Sequence, residues 1–194
     1  MKLSRRMLNL PNALTLIRIL TVPIFLECLA YRLYWEALVV FAFGGITDFF
    51  DGLTARWLNQ QTALGAYLDP VADKLLVISS FIMLGLIDGI PMWLTVVVVV
   101  RDILIVVGYG AIYLLVEEKM AVRPSRIGKW STSLQLLTLA VALVELHDAT
   151  LVHPYVLKVL IALSASATVA SGLQYLYRGL IWLQNRAPSI TPPG

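Results

Sequence analysis

Six long apolar stretches follow one another along the chain with only short polar connections. They cover about residues 13–31, 35–57, 69–87, 92–116, 131–147 and 154–183. A helix needs roughly 20 apolar residues to cross the hydrocarbon layer of a membrane, and each stretch is close to that length. Because one core of a water-soluble domain cannot bury so much apolar surface, the pattern predicts an all-α, polytopic membrane protein with six transmembrane helices.

The composition supports this class and excludes others. Of the 194 residues, 59% are hydrophobic and 14% are charged, whereas soluble domains have roughly 45–50% and about 25%. A disordered chain or a coiled coil does not have this composition, and the single cysteine, Cys28, cannot form an internal disulfide. We expect one membrane domain over residues 1–194, with a short amphipathic interfacial segment at 1–11 and a disordered tail at 187–194.

The distribution of lysine and arginine predicts the orientation. With both termini in the cytoplasm, only Arg32 and Lys158 fall on the opposite side. The cytoplasmic set is Lys2, Arg5, Arg6, Arg56, Lys119, Arg123, Arg126, Lys129, Arg178 and Arg186. Since cytoplasmic loops are enriched in these residues, we expect both termini to lie in the cytoplasm. The protein would then be a multi-pass protein of the cytoplasmic (inner) membrane.

Four aspartates lie in or beside the second and third apolar stretches. A charge at the centre of a bilayer costs about 2.5–3.5 kcal/mol, so these carboxylates require cations or water. Asp48 and Asp51 are three residues apart, and Asp69 and Asp73 are four apart, so each pair shares one helix face. Antiparallel helices joined by a short loop bring all four together. Carboxylates without histidine or cysteine favour Mg²⁺ or Mn²⁺, and two such ions would form a two-metal site for phosphoryl transfer.

Small residues and a cation surround these acids. Glycines and alanines clear space in which a bulky ligand can approach, and Arg56 is placed to hold a phosphate. The small residues are Gly44, Gly45, Gly52, Ala55, Gly65 and Ala66. The alternative is that the acids form buried ion pairs with Arg56, Lys74, Arg18 and Arg101.

Three further cations are candidates for binding an anionic acceptor. Arg101 interrupts the fourth apolar stretch, where an arginine is costly and therefore a functional candidate, or else a partner for one of the acids. Its neighbour Asp102 is expected to have a different partner, since adjacent helical side chains do not face each other. Arg126 and Lys129 precede the fifth stretch and either set the orientation, contact anionic lipid or hold the acceptor.

The last stretch carries small residues at helical spacing, which permit close helix packing. They are Ala162, Ser164, Ser166, Thr168, Ala170 and Gly172. They pack inside the bundle or, alternatively, form a dimer face.

The acidic segment is similar to a known family signature. It runs Asp48-x2-Asp51-Gly52-x2-Ala55-Arg56-x8-Gly65-x3-Asp69-x3-Asp73, which resembles the full signature of the CDP-alcohol phosphatidyltransferases. Two further segments resemble the phosphatidylglycerophosphate synthase and cardiolipin synthase branches. They are Pro11-Asn12-x-Leu14-Thr15-x2-Arg18 and Gly128-Lys129-x2-Thr132-x2-Gln135.

The resemblance implies a role for each matched residue. Asp48, Asp51 and Asp69 would be metal ligands, and Asp73 would contribute to the metal site and act as general base. The CDP moiety would lie against Asp51, Gly52, Ala55, Arg56 and Gly65. Lys129, which belongs to the matched motif, would bind the acceptor, and the residues themselves suggest the same role for Arg101 and Arg126. The resemblance also implies six transmembrane helices, a site facing the cytoplasm, a divalent metal and a homodimer.

The expected activity is transfer of a phosphatidyl group from CDP-diacylglycerol to glycerol 3-phosphate, giving phosphatidylglycerophosphate and CMP. Phosphatidylglycerol as acceptor, giving cardiolipin, is the alternative. The Arg101-Asp102 pair favours that branch, while Gly128 before Lys129 favours glycerol 3-phosphate. A non-enzymatic divalent-cation transporter is a remote alternative, because transport does not require the glycine, alanine and arginine between the acids.

Overall fold

The computed structural model describes residues 10–58, 63–116 and 125–184 of the protein. These segments form six helices and contain no strand, which confirms the all-α prediction for the described part. The helices are α1 (Leu10–Ala30), α2 (Tyr34–Leu58), α3 (Ala63–Leu86), α4 (Met92–Val116), α5 (Arg126–His147) and α6 (Pro154–Gln184). Each corresponds in order to one apolar stretch. The interfacial segment lies outside the described residues except for its last two, which begin α1, and the tail at 187–194 lies wholly outside them.

Two helices begin earlier than their apolar stretches. α3 begins at Ala63 rather than near residue 69, and α5 begins at Arg126 rather than near residue 131. Helix formation depends on backbone hydrogen bonds and capping, whereas the apolar stretch marks only the hydrophobic part. Ser125 is the N-cap of α5, and its hydroxyl accepts a hydrogen bond from the backbone N–H of Gly128 at 3.0 Å. The polar first turn of α5 is therefore helical.

The end of α1 is a tight turn with a residue in the left-handed conformation. Arg32 has φ 59°, and so does Asp88 beyond the end of α3. The N–H of Leu33 donates to the carbonyl of Cys28 at 2.8 Å, and that of Arg32 to the carbonyl of Leu29 at 3.1 Å. This is the Schellman pattern, which satisfies the last carbonyls of a helix and usually places glycine at the left-handed position.

Among the described side chains, the buried apolar residues form one cluster beside the turns that join the helices in pairs. α1 packs against α2 and α3, α4 packs against α3 and α6, and α5 packs against α2 and α6. The core residues come from the end of α1, α3 and α5 and the start of α2, α4 and α6, next to the turns that join them. They include Phe25, Leu29, Ala37, Phe41, Phe81, Leu84, Leu94, Val98, Leu139, Leu143, Leu157 and Ile161. The end of α2, the starts of α3 and α5 and the end of α6 lie at the ends of their helices away from these turns.

The outer surface of the bundle is apolar. Large hydrophobic side chains on α4 are exposed, for example Val96, Val106 and Val107, at 53%, 65% and 60%. Contiguous exposed apolar surface marks a membrane or protein contact. Two helices in the described part, Arg126–His147 and Pro154–Trp182, are long and apolar enough to cross a membrane. Both features are consistent with a membrane protein.

The small residues of α6 divide between two faces. Ser164 and Thr168 are fully buried, and the Thr168 hydroxyl lies 3.1 Å from that of Ser131 on α5. Packing inside the bundle is therefore confirmed for these residues. Ala162, Ser166 and Ala170 are exposed, and the dimer face stays an untested alternative for them.

Candidate active site

All four aspartates lie within continuous helix. α2 carries Asp48 and Asp51, and α3 carries Asp69 and Asp73. At 1.5 Å per residue, Asp51 and Asp69 lie about 10 Å along the axis from the loop-side end of their own helix, and Asp48 and Asp73 about 15 Å. The helical backbone confirms the spacing on which the shared faces depend. It also gives the two pairs matching depths relative to residues 59–62, which join the helices.

For the residues of the signature the structure describes the helical backbone but not the side chains, so the roles of these residues stay predictions. These residues are Asp48, Asp51, Gly52, Ala55, Arg56, Gly65, Asp69 and Asp73. The chemistry of the donor set fits a divalent metal, since four carboxylates supply hard oxygen ligands of the type that Mg²⁺ and Mn²⁺ prefer.

The described side chains next to this region form an ion cluster between α3 and α4. Lys74 directly follows Asp73 on α3, and its Nζ lies 2.7 Å from Oδ2 of Asp102 on α4. The Asp102 side chain is 2% exposed and that of Lys74 is 40% exposed. A buried carboxylate therefore ties the aspartate-bearing end of α3 to the middle of α4.

Asp102 also binds its own neighbour, and here the sequence-based expectation was wrong. Nη1 of Arg101 lies 2.7 Å from Oδ1 of Asp102, although we expected a different partner because adjacent helical residues point in different directions. That rule describes the Cβ directions, whereas the three methylene groups of arginine allow the guanidinium to fold back toward the next residue. The described ion pairs thus join both Lys74 and Arg101 to Asp102.

α6 contacts the second terminal nitrogen of the guanidinium, Nη2. Nη2 of Arg101 donates to the hydroxyl of Ser171 at 2.6 Å, and the guanidinium carbon lies 5.8 Å from the ring centre of Tyr175, within cation–π range. Arg101 is 7% exposed, yet its Nε has no hydrogen-bond partner among the described residues. A buried N–H donor without a partner is costly, and a water, an ion or a ligand bound there would satisfy it.

The first turn of α5 approaches the same guanidinium. A methyl group built on Gly128 would lie 3.5 Å from Nη2 of Arg101 and 3.4 Å from the Tyr175 hydroxyl. Both distances are ordinary contacts, and the same methyl group would lie 3.2 Å from the Ser125 hydroxyl, so little room remains for a longer side chain at position 128. Arg126 and Lys129, which belong to the same turn, are exposed. The structure brings this turn to Arg101, and their contact with an acceptor stays a prediction.

The electrostatics of this region favour an anion. Lys74 and Arg101 supply two positive charges against the one negative charge of Asp102. The start of a helix carries a partial positive charge from its free N–H groups, and the start of α5 lies beside Arg101.

The remaining residues of the last motif connect helices. Gln135 is fully buried, and its Nε2 donates to the Thr168 hydroxyl on α6 at 2.9 Å. The Thr132 hydroxyl donates to the carbonyl of Gly128 on its own helix at 3.2 Å. The Gln135 contact joins α5 to α6, and the Thr132 contact lies within α5 and binds the backbone at Gly128.

Two of the residues around Arg101 could not be recognised from the sequence. Ser171 and Tyr175 lie on α6, some 70 residues from Arg101 along the chain, and only the packing of α4 against α6 brings them there. The small residues of α6 indicated close packing but not its partner helix.

The comparison with known proteins defines the class. Residues 8–170 match the family profile of the CDP-alcohol phosphatidyltransferases, and the chain belongs to that family. Members of this family are membrane-embedded and generally depend on a divalent metal.

Individual relatives fall into two named groups. A probable phosphatidylglycerophosphate synthase of Mycobacterium tuberculosis is 34% identical over 181 residues, covering 90% of this chain and 83% of the relative. A CDP-diacylglycerol–glycerol-3-phosphate 3-phosphatidyltransferase of Bacillus subtilis is 30% identical over 184 residues, covering 87% and 94%. A CMP-forming cardiolipin synthase of Homo sapiens is 32% identical over 188 residues, covering 88% and 62%.

Proposed function

We propose that the protein transfers the phosphatidyl group of CDP-diacylglycerol to glycerol 3-phosphate, producing phosphatidylglycerophosphate and CMP. The observation that carries this proposal is the buried Arg101 guanidinium, with an unpartnered Nε, beside the start of α5. Glycerol 3-phosphate carries nearly two negative charges on a small phosphate group, which a few fixed cations can hold. Relatives named for this acceptor cover most of the chain.

The proposed reaction joins the aspartate helices to this anion site. The acceptor hydroxyl oxygen attacks the phosphorus that carries diacylglycerol, the bond from that phosphorus to the CMP oxygen breaks, and the hydroxyl proton passes to Asp73. Lys74 follows Asp73 and is tied through Asp102 to Arg101. An acceptor phosphate held at Arg101 would thus be anchored close to the helix that carries the base.

Asp48, Asp51, Asp69 and Asp73 would hold one or two divalent ions, Mg²⁺ or Mn²⁺. When bound, the metal neutralises charge on the pyrophosphate and on the departing CMP. Gly52, Ala55, Arg56 and Gly65, together with Asp51, would border the CDP moiety, where small side chains leave room for the nucleotide and the arginine holds a phosphate.

The proposed setting is the cytoplasmic (inner) membrane. All six helices would span it, with both termini in the cytoplasm, and two copies of the chain would form a homodimer. The exposed apolar surface and the lysine and arginine distribution support this arrangement.

The test is product identity. Purified protein would receive CDP-diacylglycerol, Mg²⁺ or Mn²⁺, and either glycerol 3-phosphate or phosphatidylglycerol in parallel reactions. We expect phosphatidylglycerophosphate and CMP from the first reaction, and reversible loss of CMP release in EDTA. Cardiolipin formed only in the second reaction would replace the acceptor assignment with the cardiolipin synthase alternative, which the human relative also represents. Failure to release CMP with any acceptor would contradict the enzymatic function and leave the transporter alternative.

A further inference from the structure

The Arg101 guanidinium is held from two helices at its two terminal nitrogens. Asp102 on α4 accepts from Nη1, and Ser171 on α6 accepts from Nη2. An arginine side chain has many rotamers, and a single contact leaves the plane of its guanidinium free to turn. Contacts at both terminal nitrogens fix that plane.

The two contacts leave the Nε–H of the guanidinium without a partner among the described residues. Nη2 carries a second hydrogen besides the one that Ser171 accepts. In a guanidinium, Nε–H and one Nη2 hydrogen lie side by side and can bind two oxygens of a phosphate as a fork.

The chemistry of Ser171 suits this task. Its hydroxyl is neutral, so it orients Nη2 without cancelling the positive charge that an anion needs. A carboxylate at position 171 would add a second negative charge to the pair that Arg101 already forms with Asp102. Ser171 is fully buried, and no solvent competes for its oxygen.

We propose that Ser171 is a positioning residue, which orients the Arg101 guanidinium so that its Nε–Nη2 edge faces the acceptor phosphate. This proposal rests on the proposed function and adds to it a residue outside the signature. It requires that Ser171 act only through Arg101.

The experiment compares Ser171→Ala, Ser171→Thr and Arg101→Lys with the double variant Arg101→Lys/Ser171→Ala in steady-state kinetics. We expect Ser171→Ala to raise KM for glycerol 3-phosphate roughly 10-fold, the effect of losing one hydrogen bond to a charged group, and to leave KM for CDP-diacylglycerol unchanged. Ser171→Thr retains the hydroxyl and should restore most of the affinity. In the Arg101→Lys background, Ser171→Ala should change KM by less than about twofold, because the guanidinium that it orients is gone.

Ser80→Ala is the matched control. Ser80 is also fully buried, but its hydroxyl bonds only the carbonyl of Leu76 on its own helix, at 2.6 Å. It should keep the kinetics of the parent, and thermal unfolding in detergent would verify that all variants fold.

Two results would overturn the proposal: an unchanged KM in Ser171→Ala, or an equal loss in the parent and Arg101→Lys backgrounds. The parent enzyme separates this test from that of the proposed function. If it uses only phosphatidylglycerol, the acceptor assignment fails, and the same ratios of KM measured with phosphatidylglycerol still decide the role of Ser171.

Discussion

Each carboxylate oxygen of Asp102 accepts a hydrogen bond from a cationic side chain, Oδ2 from Lys74 and Oδ1 from Arg101. Replacing Asp102 with alanine would leave the buried Arg101 without its counterion, and removing one member of a buried ion pair typically costs about 3–5 kcal/mol. We expect Asp102→Ala to lower the free energy of unfolding by at least about 3 kcal/mol, measured by denaturation in detergent.

Asp102→Asn provides the comparison. It keeps the volume and one oxygen acceptor, so the loss should be smaller than in Asp102→Ala. Equal stability of Asp102→Ala and the parent would mean that the two cations find other partners when the carboxylate is absent.

Asp73 allows a test of chemistry separate from folding. Asp73→Asn keeps the volume and removes the charge that accepts a proton. We expect turnover to fall by at least about 10²-fold, the lower end of the cost of removing a general base, while the thermal unfolding temperature stays close to that of the parent. CMP release under saturating substrates measures the effect. Turnover near the parent value would exclude Asp73 as the base.

At the scale of single residues, the sequence predicts which side chains share a helix face, because that depends only on their spacing along the chain. Two aspartates three or four apart in a helix share a face whatever surrounds them, and the helical backbone bears this out. Arg101 was recognised as a candidate because an arginine in an apolar helix is costly. Its contacts with Asp102 and Ser171 were not foreseen, because they depend on the conformation of a long side chain and on which helix packs beside α4.

Among the helices, the Schellman turn after α1 contains a residue that is poorly suited to its conformation. A non-glycine residue in the left-handed region costs roughly 1–2 kcal/mol, which glycine avoids at some cost in chain entropy. We therefore expect Arg32→Gly to raise the free energy of unfolding by up to about 1 kcal/mol. Chemical denaturation of the purified variant measures the gain.

Tyr31→Gly is the matched control for that change. Tyr31 is exposed and precedes Arg32, but its φ is not positive. Glycine at position 31 should lower stability by roughly 0.5–1 kcal/mol through chain entropy alone. A loss of stability in both variants would mean that the left-handed conformation of Arg32 carries no strain.

The order and number of the helices were predictable, because each apolar stretch is long and separated from the next by polar or turn-forming residues. The starts of α3 and α5 were not, since hydropathy does not register a polar helical turn. For α5, the missed turn is the one that reaches Arg101. Capping by Ser125 is a sequence signal that would have extended the helix to its observed start.

Among the described side chains of the bundle, the buried apolar ones and the buried charged ones lie at different levels along the helices. Core residues such as Phe81 and Leu143 cluster near the turns that join α1 to α2, α3 to α4 and α5 to α6. The aspartate-bearing ends of α2 and α3 lie away from these turns, as do Arg101 and the start of α5. Sites carried by packed helices hold charged groups in more precise positions than sites on loops.

The positions of the charged residues along the chain predict which end of the bundle faces the cytoplasm. The lysine and arginine distribution assigns the turn between α5 and α6 to the outer side and the end of α6 to the inner side. Cys28 is the only cysteine, so Cys28→Ala supplies a background for labelling at single sites. We expect a membrane-impermeant maleimide added to intact cells to label Ala149→Cys and to leave Gln184→Cys unlabelled until the cells are opened. Both positions are exposed, which makes accessibility from one side of the membrane the deciding factor.

Labelling of Gln184→Cys alone in intact cells would reverse the orientation and put the aspartates on the side of the membrane away from the cytoplasm. Because glycerol 3-phosphate is a small charged metabolite that does not cross a bilayer unaided, that result would also contradict its role as the acceptor.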